Sequence, residues 1–187
     1  MRTVAVIGNI CSGKSTLAQI LSDRFDLKHI ELDSIYWLPE WGACSMEVFK
    51  EQVSVATVGA NWIVDGNYSL LRPIYWDKVR IVIWLNIPFR TTIWRLAVRS
   101  LKNILNHTKL WNGNTESLSR LFSRSSPFIW AWKTNRRRVR EFPELLSLAA
   151  AQGKLTFEVR NDYELGQVVD KIGEVWSRAD IPICKTC

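Results

Sequence analysis

The chain has 187 residues, of which 47% are apolar and 23% charged, a balance typical of one globular domain and not of a disordered chain. Its longest nearly continuous apolar run, 81–89, is far shorter than the roughly 20 residues that a membrane-spanning helix needs. No signal-peptide pattern precedes the first strand-like segment. The sequence therefore predicts a cytoplasmic protein that does not bind or cross a membrane.

The net charge of +7 is concentrated in one part of the chain. Residues 90–140, named here the basic segment, contain 12 Lys and Arg and a single acid, Glu116, whereas the rest of the chain has a net charge of −4. An anion is expected to meet a local positive field of this size. That anion is either a nucleotide or a nucleic acid.

Four cysteines fit a reducing compartment. Cys184 and Cys187 form a C-x-x-C pair near the end of the chain, while Cys11 and Cys44 are isolated. A zinc site needs a second pair of ligands, which the spacing does not supply. The pattern favours four unpaired thiols.

Strand-like and helix-like segments alternate along the chain. Short apolar, β-branched runs predict strands at 3–7, 29–32, 62–64, 79–85 and 155–159. Helical spacing predicts helices at 14–25, 46–58, 89–105 and 163–176, with a further short helix opened by Pro143. The alternation predicts an α/β protein whose parallel sheet is covered by helices on both faces. Trp84 and Trp94 are expected in the core.

A glycine-rich motif follows the first predicted strand. Residues 8–15, named here the phosphate loop, read GNICSGKS and match G-x-x-x-x-G-K-S between a strand and a helix, the setting of a Walker A loop. Glycines let backbone N–H groups surround phosphate oxygens, and the helix N-terminus attracts the same anion. Lys14 supplies charge for the β- and γ-phosphates, and Ser15 offers a hydroxyl to Mg²⁺. The predicted nucleotide-binding residues are Gly8, Asn9, Ile10, Cys11, Ser12, Gly13, Lys14, Ser15 and Thr16.

Acidic residues follow two of the predicted strands. Asp33 follows the second strand and Asp65 the third. Open α/β sheets bind ligands at the carboxyl ends of their strands. A carboxylate near the phosphate loop would hold Mg²⁺ through its water shell, and one farther out would orient an attacking hydroxyl. The alternative is that both acids cap helices or turns.

Aromatic residues crowd the segment after Asp33. Tyr36, Trp37 and Trp41 follow the second strand closely enough to wall an acceptor pocket and to stack on a base or a sugar. This places Tyr36 and Trp37 among the predicted acceptor-binding residues.

Several motifs together resemble a known family. They are the phosphate loop, LDSIYWLP at 32–39 with Trp41, WIVDGNY at 62–68, and IWLNIP at 83–88 followed by Arg90, Arg95 and Arg99. Over residues 3–178 the chain resembles the adenylate-kinase-like P-loop kinases, especially the group of DNA topology modulation proteins. The resemblance implies a P-loop NTPase fold with a five-stranded parallel sheet in the order 2-3-1-4-5. It also implies ATP as the phosphoryl donor and a mobile lid after the fourth strand.

The resemblance also implies a domain plan and residue roles. One domain would span 1–178, with a helical basic lid at about 108–140, named here the lid segment, and a tail at 179–187. Asp65 would hold Mg²⁺ with Ser15, and Arg160 would contact adenine after the last strand. The residues implied on the acceptor side are Asp65, Asn67, Arg72, Arg90, Arg95 and Arg99.

The basic segment allows three interpretations. Its arginines, including Arg120, Arg124 and 136–138, would close over the phosphates and stabilise charge during transfer. Alternatively, aromatic residues interleaved with cations, as in Phe128 to Lys133, would bind nucleic acid. The third interpretation is a solvated basic helix. The lid interpretation is favoured because the phosphate loop already requires cations.

These observations predict an ATP-dependent phosphotransferase of the nucleotide-kinase-like class that uses Mg²⁺. The acceptor would be a nucleoside monophosphate or a small hydroxyl compound. The predicted catalytic residues are Lys14, Asp33, Arg124 and Arg136, with Asp33 orienting the acceptor. A nucleic-acid-binding regulator of DNA topology that retains an ATP site is the alternative.

Overall fold

The computed structural model describes residues 1–121, 123 and 126–179, with the backbone alone at 119, 120, 178 and 179. Its centre is a five-stranded parallel sheet in the order β2-β3-β1-β4-β5. The strands are β1 (Arg2–Gly8), β2 (Lys28–Glu31), β3 (Asn61–Asp65), β4 (Ile81–Leu85) and β5 (Leu155–Val159). All pairs are parallel, which confirms the predicted fold and strand order.

Helices connect the strands. They are α1 (Lys14–Phe25), α2 (Leu32–Tyr36), α3 (Met46–Ala56), α4 (Arg72–Tyr75), α5 (Phe89–Leu105), α6 (Leu118–Leu121), α7 (Pro127–Ala151) and α8 (Asp162–Ala179). The predicted bounds of α1 and α5 match. Helices α2 and α4, and the short 3-10 turns around them, were not predicted, because the residues they cover have no room for a helical repeat.

The sheet buries apolar side chains on both faces. On one face Val4, Val6 and Ile83 pack with Leu17 of α1 and Ile172 of α8. On the other face Ala5, Val64 and Trp84 pack with Phe49 of α3 and Phe142 of α7. Strands covered on both faces are near-continuously apolar, which is why β1 and β4 were readable from the sequence.

The predicted helix start at Pro143 is wrong, because α7 runs through this residue without interruption. An internal proline removes one backbone hydrogen bond and crowds the preceding turn. Phe142 and Ala149 lie on either side of it, and both are buried against the sheet. Their burial on one continuous helix face offsets the local cost of the proline.

The expected core position of Trp94 on α5 is also wrong. Trp94 is 68% exposed, and Leu101 and Leu105 lie on the same outer side. The buried residues of α5 are Thr92, Leu96, Ser100 and Asn103, at i, i+4, i+8 and i+11. The cause is Glu116, whose side chain is 6% exposed and accepts a hydrogen bond from Asn103 Nδ2 at 3.1 Å. This buried acid turns the polar side of α5 inward.

The described helices contain none that is both long and apolar enough to cross a membrane. Cys11 and Cys44 are free thiols. The C-x-x-C pair at 184–187, and all but the first residue of the predicted tail, lie outside the described residues.

Candidate phosphoryl-transfer site

The phosphate loop joins β1 to α1 with a backbone that glycine makes possible. Gly13, at the N-terminus of α1, has a φ of 97°, and Cys11 has a φ of 53°. A Cβ on Gly8 would lie 2.6 Å from Ser12 Oγ and 2.8 Å from the carbonyl oxygen of Leu85. The loop therefore closes tightly over the end of the sheet and aims the first N–H groups of α1 outward, as an anion site requires.

Asn67 holds the start of this loop in place. Its Oδ1 accepts a hydrogen bond from the Gly8 N–H at 3.1 Å, and its Nδ2 donates to the Gly8 carbonyl at 2.5 Å. The oxygen and the nitrogen of the Asn67 side-chain amide therefore both bond to the backbone of Gly8. The structure places this predicted acceptor-binding residue as a brace between the β3 end and the loop.

Lys14 lies half-buried across the mouth of the loop. Its Nζ donates to the Asn9 carbonyl at 3.0 Å. Burial lowers the pKa of Lys14, while the nearby carboxylates of Asp65 and Asp33 oppose that shift. The ammonium is thus held at the loop by a carbonyl and, among the described residues, has no carboxylate within ion-pair distance, which leaves it available to a phosphate.

Arg138 of α7 reaches the phosphate loop from the opposite side. It is 5% exposed, and its Nη1 donates to Asn9 Oδ1 at 3.0 Å. The guanidinium stacks 4.3 Å from the ring centroid of Trp130, and Asn9 Nδ2 donates to Asn135 Oδ1 at 2.9 Å. Burial, with Arg137 nearby, lowers the pKa of Arg138 to about 10. A buried guanidinium bonded to a neutral amide favours an incoming anion.

Arg138 was predicted only as one of the lid arginines at 136–138 and not as a catalytic residue. The sequence does contain a signal for it, since Ala131, Arg138, Phe142 and Ala149 form the buried stripe of α7. An arginine in an otherwise apolar stripe indicates a buried cation. Arg136 was predicted instead, and the structure places it on the exposed side, over the ring of Trp132.

Carboxylates gather where β2 and β3 end. Glu31 and Asp65 are register partners in the sheet, and Glu31 Oε1 accepts a hydrogen bond from Ser15 Oγ at 3.3 Å. Asp65 is 3% exposed, with His29 Nε2 at 3.9 Å from its Oδ2. Burial raises the pKa of Glu31, an effect strengthened by Asp65 and Asp33 and opposed by a hydrogen bond with Trp111.

Glu31 was not predicted as a site residue, although its register with Asp65 at neighbouring strand ends was a usable signal. Across the described part of the chain, no group of three or more His, Cys, Asp or Glu is arranged to hold a metal ion by itself. Mg²⁺ typically takes one or two carboxylates, with waters and substrate phosphates as its other ligands.

Asp33 lies in the first turn of α2, two residues beyond the end of β2. The Tyr68 hydroxyl donates to its Oδ1 at 2.6 Å. Burial and the adjacent carboxylate raise the pKa of Tyr68, so this hydroxyl stays a donor. The bond fixes one oxygen of Asp33 and leaves Oδ2 without a partner among the described residues.

Aromatic rings surround Asp33 and Glu31. Tyr36 packs against Tyr68 with ring centroids 5.2 Å apart, and Trp37 meets Trp41 edge to face at 5.5 Å. Trp111, from the lid segment, lies 6.4 Å from Trp41. The predicted aromatic wall therefore exists, and the lid segment contributes to it.

Two asparagines fasten the lid segment to this wall. Asn112 Nδ2 donates to the carbonyls of Ser34 and Trp37, at 3.2 and 2.5 Å. Asn114, which is 3% exposed, accepts from the Trp41 N–H at 2.7 Å and donates to the Leu38 carbonyl at 2.9 Å. Residues 111–114 and the turn at 37–43 thus form one packed unit.

The arginines expected on the acceptor side lie elsewhere. Arg95 Nη2 is 3.1 Å from Asp162 at the start of α8, and Arg99 Nη2 is 3.9 Å from Glu116. Arg90 is exposed at the start of α5. Arg72 is half-buried on α4, where the charges of Glu141 and Arg137 act on it. Helix α5 follows β4, so its arginines flank the opposite side of the phosphate loop from Asp33.

The remaining predicted residues have varied positions. Arg160 is exposed after β5 and its Nε donates to Glu158 Oε1 at 2.9 Å. Thr16 is exposed in the first turn of α1, and Ile10 is half-buried in the loop. Arg124 lies outside the described residues, and of Arg120 only the backbone is described.

The fold and loop geometry define an α/β protein of the P-loop NTPase fold. No family model matches the chain. In sequence it is similar to the shikimate kinase of Microcystis aeruginosa, with 25% identity over 122 residues, 58% of this chain and 64% of that enzyme. The chain thus matches less than two thirds of this relative.

Solved structures of similar fold include two kinds of kinase. Shikimate kinase from Bacteroides thetaiotaomicron has a TM-score of 0.55 at 10% identity, covering 94% of this chain and 98% of that one. Deoxyadenosine kinase from M. mycoides, with dCMP and a flexible dCDP bound, has a TM-score of 0.51 at 17% identity, covering 94% and 99%. These likenesses show the fold.

Proposed function

We propose that this protein is an ATP-dependent phosphotransferase of the nucleotide-kinase-like class. It transfers the γ-phosphoryl group of ATP to a nucleoside monophosphate or a small hydroxyl compound. The observation that carries this proposal is the pair of cations at the phosphate loop, Lys14 and the buried Arg138, facing the carboxylate of Asp33. Phosphoryl transfer needs cations that hold the phosphates of the donor and a group that orients the acceptor hydroxyl. Lys14 and Arg138 would serve the first purpose and Asp33 the second.

The donor is held mainly by the chain's own backbone. The N–H groups of the phosphate loop and of the first turn of α1 surround the phosphates, and Lys14 neutralises the β- and γ-oxygens. Arg138 approaches the loop from α7 and stabilises the charge that the transferred group develops. Arg160 and the exposed start of α8 remain the proposed adenine side.

Mg²⁺ fits the oxygen ligands at the ends of β2 and β3. Ser15 Oγ already contacts Glu31 Oε1, and the buried Asp65 is in register with Glu31. Ser15, Asp65 and Glu31 would hold the ion, directly or through its waters. The ion would supply positive charge that neutralises the phosphates of the donor.

The acceptor is held on the opposite side of Lys14. Asp33, fixed by Tyr68, orients the attacking hydroxyl, and the rings of Tyr36 and Trp37 form the wall of the pocket. The lid segment at 108–140, within one domain at 1–178, closes over both substrates and excludes water. Arg120 and Arg124 are proposed to close with it. We also propose a cytoplasmic location, as predicted from the sequence.

Titration of the protein with Mg·ATP, followed by calorimetry, tests the donor site. Lys14→Ala should abolish measurable binding, whereas Lys50→Ala, an exposed lysine on α3, should bind like the parent protein. Equal affinities of the two variants would refute the proposed donor site. A second measurement follows ATP consumption with candidate acceptors, where Asp33→Asn should lower turnover more than donor affinity.

One observation favours a second candidate, a nucleic-acid-binding regulator of DNA topology that retains its ATP site. On α7, Trp132 is 62% exposed and Trp130 is 47% exposed, and both lie close in sequence to Lys133 and Arg136. Exposed rings beside cations suit base stacking and backbone neutralisation. Fluorescence anisotropy with duplex and single-stranded DNA over a salt series would test this function. Affinity that is weak and flat in salt would refute it, because phosphate contacts release counterions.

A further inference from the structure

We infer that the acceptor is an electrically neutral alcohol with a flat ring, such as a nucleoside or a sugar, and not a nucleoside monophosphate or other anion. This inference rests on the proposed function and narrows its acceptor. It is carried by the charge of the acceptor side, by the position of the arginines, and by the rings around Asp33.

The acceptor side of the sheet is strongly acidic. Residues 31–71, from the end of β2 to the start of α4, contain six Asp and Glu and one cation, Lys50. Lys50 is exposed on α3. The basic segment, by contrast, lies after β4 on the donor side of the phosphate loop. The carboxylates at the strand ends on the acceptor side are Glu31, Asp33 and Asp65, whereas Glu40, Glu47 and Glu51 are exposed.

The carboxylates nearest the transferred phosphoryl group also lack Lys or Arg partners among the described residues. Among the described residues, neither Glu31 nor Asp33 has a Lys or Arg nitrogen within 4 Å, and Asp65 has only His29 at 3.9 Å. Lys14 and Arg138 are the cations whose fields reach Asp33, and both border the phosphate loop, where the donor anion needs them. A second phosphate dianion beside Asp33 would face uncompensated like charge.

Arg72 does not supply the missing positive charge beside Asp33. It was expected to grip an acceptor phosphate, but it is half-buried on α4 near Tyr75, with Glu141 and Arg137 of α7 as its charged neighbours. Arg95 and Arg99 are engaged with Asp162 and Glu116 on the donor side. The described residues thus provide no arginine fork for an acceptor anion at the end of β2.

Rings and hydrogen-bond acceptors take the place of cations there. Tyr36, Trp37, Trp41 and Trp111 form a continuous chain of edge contacts with centroids 5.0 to 6.4 Å apart. Such rings bind flat apolar faces of bases and sugars. Asp33 Oδ2 accepts the hydrogen bond of an alcohol, since Oδ1 is already bonded to Tyr68. This combination recognises an uncharged ring that carries a hydroxyl.

The transfer step balances with these groups. The acceptor oxygen forms a bond to the γ-phosphorus, and the bond from that phosphorus to the β,γ-bridging oxygen breaks. ADP leaves with the bond's electron pair. The hydroxyl proton passes to Asp33 Oδ2 and then to solvent, giving the phosphate monoester, ADP and one proton.

A radiolabelled γ-phosphate transfer assay with four groups of acceptors tests the inference. The groups are nucleosides, their 5′-monophosphates, free sugars, and hydroxycarboxylic acids, all with the full chain and Mg·ATP. Phosphorylation of a nucleoside or a sugar with kcat/KM on the order of 100-fold or more above any anionic acceptor is expected, given the cost of unpaired like charge. The nucleoside and sugar groups distinguish the two sources of a neutral ring.

A matched pair of variants tests whether Asp33 is responsible for the preference for a neutral acceptor. Asp33→Asn should lower kcat for the neutral acceptor while Glu174→Gln, an exposed acid on α8, should leave it unchanged. Preferred phosphorylation of a monophosphate or a hydroxy acid would overturn the inference and leave the proposed function standing. Activity with none of the four groups would also overturn it. Failure to bind Mg·ATP in the calorimetric titration would remove the proposed function itself.

Discussion

Arg138 Nη1 lies 3.0 Å from Asn9 Oδ1, so a residue of α7 and a residue of the phosphate loop are joined across 129 positions of sequence. The same Asn9 oxygen accepts the N–H of Ile10 at 2.8 Å, and its Nδ2 donates to Asn135. One asparagine thus connects the loop to the part of α7 that belongs to the lid segment. Any movement of the N-terminal half of α7 is therefore transmitted to the loop backbone.

The replacement Arg138→Gln is expected to lower kcat on the order of 100-fold or more, because a buried cation beside the transferred phosphoryl group is lost. Affinity for Mg·ATP should fall less, since Lys14 and the loop amides remain. Steady-state kinetics and calorimetric titration measure the two effects. Arg140→Gln, on the exposed side of the same helix, is the matched control and should behave like the parent protein. Equal kinetics of both variants would contradict the role of Arg138.

The sequence was sufficient for the sheet and for the phosphate loop, because buried parallel strands and a G-x-x-x-x-G-K-S turn are local patterns. The sequence did not predict which side of a helix is buried or where a helix begins when a residue far along the chain determines it. Glu116 turns the polar side of α5 inward, and no periodicity within α5 reports that partner. Likewise Pro143 stays inside α7 because Phe142 and Ala149 are both buried against the sheet. The pairing of Asn9 with Arg138 is equally invisible to a local pattern.

Gly8→Ala should destabilise the protein and lower its affinity for Mg·ATP. The added Cβ would lie 2.8 Å from the Leu85 carbonyl, a backbone atom that cannot move without disturbing β4. A loss of about 1–3 kcal/mol in the free energy of unfolding is expected from overpacking of this kind. Urea denaturation and calorimetry measure the two effects.

Gly166→Ala is the control, because this glycine of α8 has open space around its Cβ position. Here the free energy of unfolding should rise by about 0.5–1 kcal/mol, as for other helical glycines. Donor affinity should stay unchanged. If Gly8→Ala retained both stability and affinity, the loop geometry described here would be wrong.

Binding of ATP should be coupled to proton uptake by Lys14. Burial lowers the pKa of Lys14 in the free protein, so the unfolded chain binds more protons than the folded one between the lowered and the ordinary pKa. In that alkaline window the free energy of unfolding rises with pH. The negative charge of bound phosphates raises the pKa again, and the complex takes up protons from the buffer.

Calorimetric titrations in buffers of different ionisation enthalpy measure this uptake. It should approach one proton between the lowered and the ordinary pKa of Lys14, and it should fall at pH values outside that window. Lys14→Arg is the control, since its guanidinium stays charged and should remove most of the uptake. Uptake that persists unchanged in Lys14→Arg would assign the proton to another group.

Asn114→Ala should detach the lid segment from the aromatic wall. The buried amide bonds the Trp41 N–H and the carbonyls of Leu38 and Trp111, so its loss leaves buried backbone groups without partners. A cost of about 1–3 kcal/mol in the free energy of unfolding is expected for such groups. Because Trp111 and Trp41 then lose their fixed spacing, the KM for the acceptor should rise several-fold while affinity for Mg·ATP stays the same.

Asn106→Ala, at an exposed residue after α5, is the control and should alter neither the stability nor the KM for the acceptor. A parallel loss of donor and acceptor binding in Asn114→Ala would show that 111–114 support the whole cleft and not its acceptor side alone.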